Sequence, residues 1–251
     1  MSLVPLPDDW PRERDALHRV VVHVVTRAQQ EATGHLALAV HPGGVGTPRF
    51  GPARRCVRVC GGSLFVEDAH GRRDGASTAT TTVHPIAGST ITELCAAAGV
   101  DPDPEMRIGD DAVPLGDPDA PISLDADTTT VLGDWFALGQ RAMDVTLASL
   151  PDPRASIVRL WPEHFDIGVD LAVDPEGKPG SRVNLGASPG DAAHEEPYLY
   201  VGPWGDERPG PEGFWDQPFG ATLGWSTVDA ADNPLAVASE FFLRGVGLLR
   251  M

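Results

Sequence analysis

The sequence predicts an α+β protein made of two similar α-β-β-β-β-α halves, antiparallel sheets backed by helices. Three observations carry this. Apolar and polar residues alternate along 164–173, 183–187 and 197–201, the period of a half-buried strand. Apolar residues recur at spacings of three and four along 17–28 and 131–150, the period of an amphipathic helix. The two halves also repeat one order of elements: helix 11–33, strands near 35–41, 54–60, 63–68 and 77–83, helix 90–98; then helix 131–150, strands near 164–173, 181–187, 197–202 and 221–226, helix 234–249. The expected organisation is a first half over 1–100, an acidic Pro/Asp-rich connector over 101–127 and a second half over 128–251.

Composition narrows the partners. Of the 251 residues 41% are hydrophobic, enough for a core, while 28 Gly and 24 Pro predict many turns. The net charge of -17 repels phosphate backbones and anionic membranes, so nucleic acid is a poor partner. No apolar run approaches the ~20 residues that a membrane span needs. The charge is uneven: residues 1–73 hold ten Lys+Arg and seven Asp+Glu. Cys56 and Cys60, four apart on a strand, would lie roughly 13 Å apart, too far to bridge. With a proline-broken, charged opening unlike a signal peptide, reduced cysteines in a cytoplasm are expected.

In chain order, Asp9-Trp10-Pro11 starts a helix and Gly34 ends it. The β-branched run VVVHVV could also be read as a strand, but the apolar stripe continues to Ala28, so helix is favoured, with His18 and His23 placed at its surface or boundary. A strand ends at His41-Pro42-Gly43-Gly44, and the glycine-rich stretch to Pro52 reads as a turn or flexible rim, lacking the GxxxxGK[ST] of a phosphate loop. Gly61-Gly62 joins two strands in a hairpin, and a charged tip around 68–77 leads to a threonine-rich strand. Thr90-Ile91-Thr92-Glu93 is a capping box for a helix closed by Gly99. The carboxylates of 101–127 lack EF-hand spacing.

The second half opens with the helix bearing Trp135 and Phe136, ended by Pro151-Asp152-Pro153. Along the next strand Phe165, Ile167, Val169, Leu171 and Val173 point one way; His164, Asp166, Gly168 and Asp170 point the other. Residues 174–180 form a turn, and the following strands place Arg182, Asn184, Tyr198 and Tyr200 on the polar side. A long aromatic, acidic loop carries Phe214 and Trp215. Asn233-Pro234 then starts an apolar helix that packs on the core or on a second subunit as a homodimer.

On WPEHFDIGVDLA and EEPYLYVGPW, the chain resembles a family of uncharacterised bacterial proteins, common in actinobacteria and defined only as a domain of unknown function. The resemblance spans most of the chain: the first helix into Gly34-His35-Leu36-Ala37-Leu38, the helices at 90–98 and 131–150, His164-Phe165-Asp166 at a strand start, the Phe214-Trp215 loop and the final helix. The family pattern has a second aromatic cluster where this chain has only His41-Pro42-Gly43-Gly44. The resemblance implies no activity, cofactor or catalytic residue.

Two constellations stand out. His164, Asp166, His194 and Glu195 have the residue types of a divalent-metal or acid/base site, with His164, Asp166 and His194 as its catalytic members, although HExxH and other ligand motifs are absent. Asp170, Arg182, Asn184, Tyr198, Tyr200, Trp204 and Trp215 have those of a small-molecule site, aromatic walls with a few polar anchors. A nucleophile is the weakest option: no GxSxG elbow exists, and Ser188 shares a Gly/Pro loop with His194. The expectation is a cytoplasmic small-molecule-binding protein. A metal-assisted hydrolase or isomerase and a structural homodimer are the alternatives.

Overall fold

Trp10 and Pro11 open the first helix, the proline sitting where its missing N–H costs nothing. The computed structural model describes residues 3–71, 77–109, 112–174 and 181–250. The helical path runs from α1 (Trp10–Val20) through a π-helical turn (Val21–Thr26) into α2 (Arg27–Thr33), and Gly34, at φ 74°, ends it. The helix expected over 11–33 is therefore present, with a wider coil at its centre. There the Thr26 hydroxyl donates to the Val21 carbonyl five residues back, at 2.9 Å. Val20, Val21, Val24 and Val25 are all fully buried. The burial reaches further round the helix than its apolar stripe does. His18 and His23, expected at a boundary, are 7% and 5% exposed.

The first antiparallel sheet follows in chain order: β1 (Ala39–His41), β2 (Gly44–Gly46), β3 (Cys56–Cys60), β4 (Ser63–Gly71) and β5 (Ser77–Pro85). β2 replaces part of the expected rim loop. A Cβ on Gly44 would fall 1.9 Å from the Val59 carbonyl oxygen, so glycine is what lets these strands approach. Two arginines, one in β3 and one just before it, are neutralised locally. Arg55 grips Asp68 with two 2.9 Å bonds, and Arg58 meets Glu67 at 2.9 Å. Of the expected tip 68–77, residues 68–71 extend β4 and Ser77 begins β5, and 72–76 lies outside the described residues. α3 (Ile91–Ala98) carries the expected capping box, Thr90 and Glu93 bonding reciprocally at 2.9 and 3.1 Å.

The chain divides into two compact units. One is Val4–Asp134 with Leu160–Phe165; the other is Met1–Leu3, Trp135–Arg159 and Asp166–Met251. The stretch expected as a connector, 101–127, falls within the first unit. Glu13 Oε2 accepts the Asp125 N–H at 2.6 Å and the Thr128 hydroxyl at 3.0 Å. Arg19 Nε donates to the Leu115 carbonyl at 2.5 Å. A proline-rich stretch cannot satisfy its own backbone through secondary structure, and these helix side chains do so for it.

α4 (Thr128–Ala148) leads to the second sheet: β6 (Arg159–Trp161), β7 (Asp166–Ala172), β8 (Arg182–Ser188), β9 (Tyr198–Pro203) and β10 (Ala221–Gly224), ordered β10-β9-β8-β7-β6. α5 (Trp225–Asp229) and α6 (Pro234–Leu249) close the chain, the latter capped by Asn233. β7 begins two residues later than expected because 162–165 is a turn in which Phe165 takes φ 53°. Likewise the strand expected to Ser226 stops at Gly224, and Trp225 opens a helix. Most of the expected turn 174–180 lies outside the described residues. The molecule is α+β with two similar helix–sheet–helix halves, each holding one strand, β2 or β6, beyond the four expected.

The pairing register sorts the second sheet's faces. Val169, Leu185, Val201 and Ala221 share one cross-strand row, Ile167, Ala187 and Leu199 the next, and all are 2% exposed or less. Helices press on this side: a Cβ on Gly139 of α4 would lie 2.5 Å from Ala187, and one on Gly245 of α6 would lie 2.8 Å from Val201. Among the described residues, no helix is long and apolar enough to cross a membrane.

Candidate functional site on the polar face of the second sheet

Alternation sends the remaining residues of β7, β8 and β9 to the face opposite the helices. In register, Asp170, Asn184 and Gly202 share one cross-strand row, Gly168, Gly186 and Tyr200 the next, and Ser188 pairs with Tyr198. Gly168 and Gly186 leave a trough that the Tyr200 ring fills. A Cβ at Gly186 would lie 2.3 Å from the ring's Cζ, and one at Gly168 3.3 Å from its hydroxyl. The Tyr200 hydroxyl donates to Asp166 Oδ2 at 2.5 Å, and Asp166, first residue of β7, is 8% exposed.

A second phenol–carboxylate pair stands alongside. The Tyr198 hydroxyl donates to Asp191 Oδ2 at 2.6 Å. Asp191 Oδ1 accepts the N–H groups of Ala193 and His194 at 2.7 and 2.8 Å, an Asx turn that shapes the loop. His194 Nδ1 lies 3.5 Å from that oxygen, and its ring tilts against Tyr198 at 4.8 Å. Phe219 meets both tyrosines at 6.4–6.5 Å, edge-on to Tyr200.

Electrostatics fix the protons. Burial pushes the Tyr198 phenol up, and Asp191 adds to it; burial also raises Tyr200, helped by the Asp166 charge. Burial alone would raise the Asp191 carboxyl. The Tyr198 hydroxyl and the two backbone N–H groups outweigh that and hold it below its ordinary value. Both phenols are therefore protonated donors at neutral pH, suited to anchoring rather than to taking protons.

The other end of the face is built around Trp204. Its indole N–H donates to Asn184 Oδ1 at 3.0 Å, and its backbone N–H to the Arg182 carbonyl at 2.9 Å. Arg182 Nε bonds both Asp170 oxygens, at 2.6 and 2.8 Å, and its guanidinium carbon sits 5.9 Å from the Trp204 ring. Trp204 is nonetheless 56% exposed.

The expected residues thus distribute unevenly. Asp170, Arg182, Asn184 and Trp204 form one hydrogen-bonded set, and Tyr198 and Tyr200 join Asp166 and His194 in another. Trp215 stands elsewhere, its N–H on the Pro209 carbonyl at 2.8 Å, beside a cavity of about 480 Å³ in the loop 206–218. His164 is exposed on the turn before β7 rather than on the strand, so the expected His-x-Asp pair does not project from one strand face; Glu195 is exposed in its loop. Among the described residues no group of three or more His, Cys, Asp or Glu side chains could hold a metal ion, the set His164, Asp166, His194 and Glu195 included. The Ser188 hydroxyl accepts the Gly190 N–H at 3.1 Å. Sequence reasoning weighed Asp191 only within a Ser188–Asp191–His194 relay that it set aside, not as a partner of Tyr198, and it missed Phe219. The Pro-Gly-Asp order of an Asx turn was the available signal for Asp191, whereas nothing local marks Phe219.

No family model matches the chain, and neither a curated protein nor a solved structure does.

Proposed function

We propose that this chain binds a small polar molecule bearing a ring on the polar face of its second sheet. The observation that carries this reading is Trp204. An indole 56% exposed gains little from burial, yet it is fixed by two hydrogen bonds and a guanidinium. A rigid aromatic surface beside amide, carboxylate and guanidinium groups can stack a ring and read its polar edge. Asn184, Asp170 and Arg182 are the reading groups; Tyr198 and Tyr200 with their carboxylates hold the neighbouring floor rigid.

The test is a metabolite panel screened by thermal shift and tryptophan fluorescence on wild type and Trp204→Ala. The reading expects ring-bearing polar compounds that stabilise wild type, with the variant's response at least tenfold weaker. A panel that moves neither signal, or that moves both proteins alike, overturns it.

A further inference from the structure

β5 ends the first sheet on one side, paired to β4 and, among the described residues, to no other strand. It is nine residues long, whereas the other sheet edges, β1, β6 and β10, have three, three and four. The side chains of residues 78–83 are all exposed, so the strand meets solvent on both faces. A long open edge offers a row of backbone groups to another chain, and proteins ordinarily blunt it with charge, proline or a bulge. β5 uses none of these before its last residue, Pro85. Ser77 to His84 holds no Asp, Glu, Lys or Arg, and the register with β4 is unbroken.

The hydrogen-bond pattern fixes which groups are offered. The Ile86 N–H donates across the hairpin to the Gly62 carbonyl at 2.9 Å, and the Ala69 N–H turns the other way, to the Ala53 carbonyl at 2.8 Å. Antiparallel pairing alternates from these two points. Thr80, Thr82 and His84 therefore bond β4, while Ala79, Thr81 and Val83 turn their N–H and C=O groups outward. Pro85, which has no N–H to offer, falls in the outward set. Among the described residues, no backbone group meets Ala79, Thr81 or Val83 on that side.

We propose that this edge pairs antiparallel with the same edge of a second copy of the chain, about a twofold axis at Thr81. The edge complements itself. About that axis Thr81 faces its own counterpart, Ala79 faces Val83 and Thr80 faces Thr82, so apolar meets apolar and hydroxyl meets hydroxyl. The outward residues fall opposite one another, each pair exchanging both N–H···O bonds. Charge points to the same occupant. Two chains of net charge -17 repel, and contact is least opposed where charge is absent. The carboxylates beside β5 on β4 are matched, Glu67 by Arg49 and Arg58, Asp68 by Arg55. A charged peptide finds no side-chain charge on β5 to select it.

One strand pair is a small interface, so the full chain is tested by analytical ultracentrifugation from roughly 10 to 500 µM. Dimer is expected to grow with concentration, and the amide exchange of Ala79, Thr81 and Val83, read by NMR, to slow about tenfold or more with it. The amides of Thr80 and Thr82 bond β4 in monomer and dimer alike, and their protection reports that the hairpin is folded. Thr81→Pro deletes an outward N–H while leaving the β4 ladder intact, and should abolish the dimer. Thr81→Lys and Thr81→Glu should each be monomeric, and mixed in equal amounts should dimerise, because the axis sets position 81 against itself. A wild-type chain that stays monomeric throughout, or a dimer in which Ala79, Thr81 and Val83 exchange unchanged, overturns the proposal. Failure of the mixed variants to dimerise overturns the axis at Thr81.

Discussion

The Tyr200 ring lies against the backbone of Gly186, the residue opposite it in the β8–β9 ladder, so closely that a Cβ at 186 would stand 2.3 Å from Cζ. The ring cannot swing clear without giving up its hydroxyl's bond to Asp166. Gly186→Ala is therefore expected to cost about 1–3 kcal/mol, the usual range for overpacking. Urea denaturation measures it, and an unchanged midpoint would mean that the ring does not occupy the trough.

The Tyr198–Asp191 pair has an acid signature. With the Asp191 pKa depressed in the folded state, its contribution is present above the ordinary carboxylate range and is lost as pH falls through the lowered folded value. Tyr198→Phe removes one donor and should move the Asp191 carboxyl titration to higher pH. A ¹³C NMR titration of the side-chain carboxyl reads this directly; coincident curves for the two proteins would contradict the pairing.

His18 predicts a different pH dependence. Its ring stacks parallel on Phe165 at 4.5 Å and Nε2 bonds the Pro162 carbonyl at 2.6 Å. Burial lowers its pKa from 6.5 to about 4, although the Pro162 bond opposes this. The unfolded ring takes a proton first, so stability is full above pH 6.5 and falls as pH drops towards 4, by about 3 kcal/mol in all. His18→Gln can keep a donor for Pro162 and should flatten that slope. Urea midpoints at neutral pH and near pH 4.5 give the comparison, and equal slopes in both proteins would contradict it.

The cysteines separate by burial. Cys56 and Cys95 are 1% and 0% exposed; burial raises both thiols, that of Cys95 to about 12. Cys60 is half-buried at the end of β3. Brief iodoacetamide treatment of native protein near pH 8 should label Cys60, whereas denatured protein should label all three cysteines. Mass spectrometry locates the label; native alkylation of Cys95 at a comparable rate would contradict its burial between α3 and the π-helical turn.

Local pattern was enough for the elements whose signals are local. The capping box at Thr90, the Gly61-Gly62 hairpin and the alternation of β7 to β9 were all legible, and with them the polar face holding Asp170, Arg182, Asn184, Tyr198 and Tyr200. Signals ran out where one residue changed the path. Phe165 in a left-handed conformation removed His164 from the strand, and the close approach of β2 to β3 made a strand from what reads as a glycine loop.

By itself, then, the chain's periodicity determined an α+β architecture with two similar halves and which side chains share a face, because side-chain direction along a strand depends only on parity. Tertiary packing alone decided that His18 and His23 are buried, that Val113, Leu115 and Asp125 bond to side chains of the first helical path, and that Asp191 and Phe219 complete the tyrosine cluster. Those outcomes depend on which distant backbone carbonyl or ring arrives beside a residue, and no window of neighbouring sequence encodes that arrival.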